Sequence, residues 1–233
     1  MLYLYALTDR LTSVDDLLGI SGDRLIALTF DSIVAVAGVV EHVPAVDRDR
    51  LADQDRVVRS LHERAEALLP MRFGSAFPSE ADAARAMRLQ AQRLRQQLDA
   101  VRGKEQVTTR VLGPPSPPQA ATASSRRSSH VTRLRAAAEA PAAPGASSGE
   151  EYLRARAAKQ VPPEIRPLLA AVAPFARATR VERGAVGGLI ATIYQLVDRG
   201  QSEAFRTAMT TAARDHAGLS VHVTGPAPCY AFA

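Results

Sequence analysis

The chain has 233 residues, 46% hydrophobic and 23% charged, the balance of a folded protein with a real core and not of a disordered one. Its net charge is +5, but Arg126, Arg127, Arg133 and Arg135 against Glu139 supply +3 of this in one stretch, so the remainder is near neutral and no basic nucleic-acid groove is implied. The sole cysteine, Cys229, excludes an intramolecular disulfide and a cysteine-cluster metal site, which fits a reducing cytosol.

Residues 2–7 carry aromatic and branched side chains in weak alternation and predict a strand, and residues 12–18 predict a short helical turn. The opening residues reach Asp9 and Arg10 at once without a basic leader, so no signal peptide is expected. Residues 24–29 and 33–40, parted by Phe30-Asp31-Ser32, predict a hairpin. The second of these is the longest apolar run, far below the ~20 residues of a spanning helix, so no membrane span is expected and a cytoplasmic location is. From 49 to 69 the period becomes helical, with Leu51, Val58, Leu61, Ala65 and Leu68 on one stripe. Pro70 stops it, and 71–77 reads as a short strand.

Ser79 with Asp82 three residues on predicts a capped helix to about Val101, with Ala84, Met87, Ala91, Leu94, Leu98 and Val101 forming a seam. Residues 103–112 predict a strand. Six of the chain's 15 prolines then fall within 113–147 among Ala, Ser and Gly, the composition of a flexible insertion. Residues 150–160 read as helix, Pro162-Pro163 interrupts, and 164–177 resumes it with Leu168, Leu169 and Val172 as core. A second hairpin follows at 179–183 and 188–197, turning around Gly184 and Gly187. Ser202 is positioned to cap a helix to about Gly218 that faces Phe205, Met209, Ala212 and His216 inward, and 219–224 is the last strand, ended by Gly225-Pro226.

The second half thus reads strand, helix, hairpin, helix, strand, the split βαβ order of ferredoxin-like domains. The first half is a looser version with a short first connection and an added C-terminal helix. The expected architecture is α+β: two small ferredoxin-like domains, 1–102 and 103–233, the second carrying the flexible Pro/Ala/Ser-rich insertion at 113–147.

Two stretches are more distinctive than their surroundings. Leu68-Leu69-Pro70-Met71-Arg72-Phe73-Gly74-Ser75-Ala76-Phe77 resembles the LPxRFGxxF signature of the GvpF/GvpL family of gas vesicle proteins, and Thr224-Gly225-Pro226-Ala227-Pro228-Cys229-Tyr230-Ala231-Phe232 resembles that family's terminal tGPWPPYSF. The order of elements, the start at Glu151-Tyr152-Leu153 and the strand end at Leu196-Val197-Asp198-Arg199 extend the resemblance over nearly the whole chain. The tail departs from the pattern at Ala227, where Trp is usual, at Cys229 in place of Pro and at Ala231 in place of Ser; the missing Trp is an anchor of about 150–250 Å². The double proline at 162–163 is a further departure. The resemblance implies a protein of gas vesicle formation with no catalysis and no cofactor or metal. It would associate with the shell protein GvpA and with other accessory proteins, keeping a very hydrophobic subunit soluble or bringing it to the growing shell.

The candidate site residues are Arg72, Phe73, Gly74 and Phe77 in the first motif and Gly225, Pro226, Tyr230 and Phe232 in the tail. Arg72 has two readings, a local ion pair on a packed strand or a partner-facing anchor. The tail is expected to clamp onto its own domain, with Tyr230 and Phe232 on the same side if extended. His42, His62, His130, His216 and His222 have no metal-ligand spacing, and Gly184–Gly188 lies between strands, outside the context of a phosphate loop. The alternative function is a single-stranded nucleic-acid binder that stacks bases on Tyr3 and Tyr5, which would share one sheet face. Against it, residues 72–77 lack the aromatic alternation that such strands use.

Overall fold

The computed structural model describes residues 1–11, 13–113, 161–184, 187–216 and 218–233. Its first half is organised by β1 (Leu2–Thr8), every residue of which is buried. This strand lies between β3 (Ile33–Val39) and β4 (Leu68–Pro70), with β2 (Leu25–Phe30) outside β3 and β5 (Ala76–Phe77) pairing the opposite end of β1. All of these pairings are antiparallel. Phe30 pairs with Ile33 and belongs to β2, so the turn is Asp31-Ser32 alone, with Asp31 in the left-handed region at φ 53°. A bulge in β1 carries the register from Leu4 to Ala6 and skips Tyr5. It puts Tyr3, Tyr5 and Ala6 on one face and Leu4 and Leu7 on the other, which accounts for the weak alternation of this segment.

Both faces of that sheet are covered. Helix α1 (Arg48–Arg64) packs Val57, Val58 and Leu61 onto Tyr3 and Tyr5, and the Asp47 carboxylate at its start accepts from Arg50 N at 2.8 Å. The helix ends five residues before the expected position because Ala65 is already extended (φ −113°, ψ 142°) and Leu68 and Leu69 join β4, buried on opposite faces. The other face is covered by α2 (Glu80–Leu89) and α3 (Ala91–Val101) through Ala83, Met87, Leu94, Leu98 and Val101. The expected cap is present, Ser79 Oγ accepting from Asp82 N at 3.2 Å. The expected single helix is instead broken at Gln90 (φ −113°, ψ 8°), leaving Leu89 in solvent. The helical turn expected at 12–18 is reduced to a single turn bond, Leu17 N donating to Val14 O at 3.0 Å, with no helix among the described residues there. Val14 and Ile20 are drawn into the α1-side core instead, with Ile20 N donating to the Tyr5 hydroxyl at 2.8 Å.

The second sheet takes its strands from β6 (Lys104–Leu112), β7 (Ala176–Arg183), β8 (Leu189–Asp198) and β9 (Ser220–Ala227), in the order β7-β8-β6-β9 and again antiparallel throughout. One face packs Val107, Val111, Ile193 and Val197 against Leu168 and Val172 of α4 (Arg166–Val172) and Phe205 and Met209 of α5 (Ser202–Arg214). Each half therefore has the α+β arrangement expected of it, with spatial strand order second, third, first, fourth, and only the first half lacks a helix in its first connection.

Several boundaries differ from those expected. The helix of 164–177 is a 3-10 turn at Pro163–Ile165 followed by α4, which stops at Val172 just ahead of Pro174, and residues from Ala176 onward pair with β8. Ser202 caps nothing; its hydroxyl donates to buried Glu105 Oε1 at 2.5 Å. Helix α5 ends at Arg214, so Ala213 is buried in place of Ala212, while His216 is half-buried beyond the helix. Gly225-Pro226 does not end β9, which passes through it to Ala227 with an irregularity opposite Gln106–Thr108. Except for Gly113, the insertion at 113–147 lies outside the described residues, as do the helix expected at 150–160 and His130.

Candidate functional site

The first motif is a strand, a tight turn and a second strand that grip both ends of β1. Leu68–Pro70 pairs with Ala6–Thr8, Met71 N donates to Tyr5 O at 2.9 Å, and Ala76 and Phe77 pair with Tyr3 and Leu2. The turn between is tied from below by a buried polar pair. The Tyr3 hydroxyl donates to Gln54 Oε1 at 2.5 Å and accepts from Gly74 N at 3.1 Å, and Gln54 Nε2 donates to Met71 O at 2.9 Å. Gly74 sits at φ +84°, a conformation that a side chain disfavours. Phe73 meets the Tyr3 ring edge-on at 6.1 Å and belongs to the α1-side core, whereas Met71 and Phe77 pack on the α2–α3 side. Arg72 alone points away. It is exposed, and its guanidinium makes no hydrogen bond or ion pair among the described residues, which removes the expected local ion pair.

The tail docks on its own chain, across both halves. Gly225 (φ +122°) leaves a Cβ no room, since it would lie 2.7 Å from Gln106 O. Cys229 is fully buried in the cluster that also holds Leu69, Leu98 and Leu196, and this burial pushes its thiol up to about 12. Residues Tyr230–Phe232 form a 3-10 turn, not an extended segment, so Tyr230 and Phe232 diverge. The Tyr230 hydroxyl donates to Asp55 Oδ1 on α1 at 2.8 Å; burial, then this carboxylate, raises its pKa. Phe232 joins the α2–α3-side cluster. Ala231 N donates to Gln106 Oε1 at 2.8 Å, Ala231 O accepts from Arg180 at 3.0 Å, and Pro226 O accepts from Arg59 at 3.3 Å. Beside the tail, Arg199 Nη2 donates to His62 O and Ala65 O, both at 2.7 Å, and so caps the C-terminal end of α1 from the other half. It also stands 3.3 Å from His62 Nδ1. Burial first, then the Arg199 and Arg59 charges, lower the His62 pKa to about 4.

The two motifs thus meet in one apolar cluster, and their aromatic residues are mostly structural. What faces solvent beside the first motif was not anticipated. Val39, Val43, Val46 and Leu51 are 60%, 38%, 73% and 45% exposed, and Met1 is open next to them. Val43 borders Gly74, with Cγ1 3.9 Å from where a Cβ would stand, and Leu51 lies one turn before Gln54, which holds the motif turn. Leu51 was placed on the buried stripe by its spacing, but the buried arc of α1 is Gln54, Val57, Val58 and Leu61, leaving Leu51 to one side. Exposed apolar side chains thus lie on the two segments that flank the turn bearing unpaired Arg72, with Val43 directly against it, and exposed apolar surface that gathers in one place is often functional.

Tyr3 and Tyr5 share a face as expected, but α1 covers it and both are fully buried, so bases cannot stack on them. Among the described residues no three His, Cys, Asp or Glu side chains cluster in a way that could hold a metal ion. Gly184, Gly187 and Gly188 lie between β7 and β8, Gly184 N donating to Ile190 O at 2.9 Å in a hairpin turn. No described helix is long and apolar enough to cross a membrane.

The model of the family of gas vesicle synthesis proteins GvpL/GvpF matches residues 1–233. The crystal structure of the gas vesicle protein GvpF from Anabaena superposes with a TM-score of 0.71 at 15% identity, covering 99% of this chain and 94% of that one. That of GvpF from Microcystis aeruginosa does so with a TM-score of 0.71 at 13% identity, covering 99% and 98%. Identities this low carry the fold alone. No curated protein matches by sequence.

Proposed function

From the premise that the chain belongs to the GvpL/GvpF family of gas vesicle synthesis proteins, we propose that it is a non-enzymatic assembly factor that holds the hydrophobic, GvpA-type shell subunit, and engages other accessory proteins, while vesicles form. The observation that carries this reading is the exposure of Val39, Val43, Val46 and Leu51 on the segments beside the turn that bears unpaired Arg72, Val43 lying against that turn. Apolar surface left open at a rigid turn gains free energy when a partner covers it, at about 25 cal/mol per Å² before the costs of association. Arginine beside such surface adds a directional anchor for a carboxylate or carbonyl of the partner.

The turn is preorganised by Tyr3, Gln54 and Gly74, so little ordering remains to oppose binding. We place the protein in the cytoplasm, in association with gas vesicles, where the shell subunit is made. Co-expression with a GvpA-type subunit and affinity capture of this chain tests the role. The subunit is expected to co-purify with the wild type, and its absence, in the presence of the other accessory proteins as well, overturns the assembly reading.

A further inference from the structure

Helices α4 and α5 cover one face of the second sheet, and the other is covered at one end, where Leu196 and Ala178 join the α2–α3-side cluster of the first half. The face turned away from α4 and α5 presents the cross-strand row Thr192, Arg110 and His222 and, beside it, the row Arg180, Tyr194 and Thr108. The tail sits at one end of this face, where Gln106 and Arg180 hold Ala231, and beyond it Arg110, His222 and Thr224 are exposed among the described residues. Charge is not balanced across it. Among the described residues Glu182, which ends the first row opposite Thr192, is the one acid on these rows, and it is already engaged by Arg180 at 3.3 Å and by the Tyr194 hydroxyl at 3.2 Å. Arg110 and His222, opposite one another in register, are exposed, and their side chains have no hydrogen bond or ion pair among the described residues.

We propose that this open face is a second docking surface, distinct from the apolar patch of the first half, and that its occupant is an acidic segment of a partner protein whose carboxylates pair with Arg110 and His222. Charge complementarity selects that occupant: a guanidinium takes a carboxylate in a two-bond fork, and the threonine hydroxyls on both sides supply further donors. A single-stranded nucleic acid fits less well. Base-stacking sheets of this topology place aromatic side chains on adjacent central strands, whereas here β6 offers Thr108 and Arg110, and the one aromatic of these rows among the described residues, Tyr194, spends its hydroxyl on Glu182.

The test uses the full chain with two probes of opposite kind, a fluorescent oligoglutamate peptide and an oligouridylate of equal length. Affinity is read by anisotropy and the contact surface by amide shift mapping. The peptide is expected to bind with shifts at Thr108, Arg110, Thr192 and His222. Arg110→Glu, at an exposed position outside the core, is expected to weaken it by roughly tenfold, the effect of losing and then reversing an exposed charge pair. A variant with Arg126, Arg127, Arg133 and Arg135 changed to Ser is expected to bind as the wild type does. Unchanged affinity in Arg110→Glu, loss of binding in the serine variant, or tighter binding of oligouridylate with shifts at Tyr194 would each overturn the proposal. The shell-subunit reading is unaffected by these outcomes, because it rests on the other half of the chain.

Discussion

Replacing Arg199 by Ala perturbs the contact between the halves at a point where its consequences can be separated. The guanidinium donates two bonds of 2.7 Å, one to His62 O in the last turn of α1 and one to Ala65 O just beyond it. Hydrogen bonds from a charged donor contribute about 1.5–3 kcal/mol each, but the site is only part-buried and water replaces some of that. A net loss of about 2–3 kcal/mol is therefore expected, an appreciable part of a total near 5–15 kcal/mol.

The second consequence is a change in pH dependence. The His62 pKa is lowered to about 4 in the folded chain, against about 6.5 unfolded, so the unfolded state takes up the proton first. Stability from this group is complete above about pH 6.5 and is lost as pH falls toward 4, to the extent of about 2 kcal/mol once the partial exposure of the ring is discounted. Because burial is the larger cause and the Arg199 charge the next, Arg199→Ala should raise the His62 pKa only part of the way back to its unfolded value. Urea denaturation at several pH values with NMR titration of His62 measures both effects. An unchanged midpoint at neutral pH, or a His62 titration curve that does not move, would refute the reasoning.

Tyr3→Phe strips the hydroxyl that links Gln54 and Gly74 and leaves buried Gln54 Oε1 without its donor. A loss of about 1–3 kcal/mol is expected in urea melts, and wild-type stability would show that the turn is held by packing alone. Cys229 should resist maleimide until the tail undocks, so its labelling rate in native buffer, followed by mass spectrometry, should be far slower than that of a free thiol; labelling at the free rate would contradict the docked tail. Limited proteolysis should cut first within 113–147, and each sheet drawing its strands from one side of residue 102 leads us to propose that fragments on either side retain structure. Protection of 113–147 would instead mean that the segment is ordered.

Local chemistry and periodicity carried most of the element order. The cap at Ser79 and the β-branched run at 33–39 each act through neighbours in sequence and were legible there. Departures arose where a distant contact decided. Leu68 continues a helical stripe by spacing and Leu69 closes the expected helix, yet β1 recruits both as a strand buried on both faces. Ser202 has the chemistry of a cap, but Glu105 from β6 takes its hydroxyl. In the tail, extended spacing suggested that Tyr230 and Phe232 share a side, whereas Asp55 and the α2–α3 cluster draw them apart.

The candidate site was legible only in part. The two motifs were distinctive as sequence, but their aromatic residues turn out to brace the fold, and the exposed element is Arg72. The exposed apolar residues had a faint signal, Val43 and Val46 standing in the connection before α1 without helical or strand period and Val39 ending β3 just ahead of them. What concealed Leu51 is that an amphipathic stripe does not reveal where its buried arc ends.

The most direct test of the account is retention of a GvpA-type shell subunit by this chain and by a Val43→Asp/Val46→Asp variant, through washes at low and high salt. Each valine, if covered by the partner, is worth roughly 1.5–2 kcal/mol, so the pair should weaken binding by at least a hundredfold, while substitutions this exposed leave folding within about 0.5 kcal/mol of wild type. The wild type should hold the subunit even at high salt, where charge-driven contacts fade, and the variant should lose it at both. Equal retention by the two proteins would contradict the central claim that the apolar patch beside Arg72 is where the shell subunit is held.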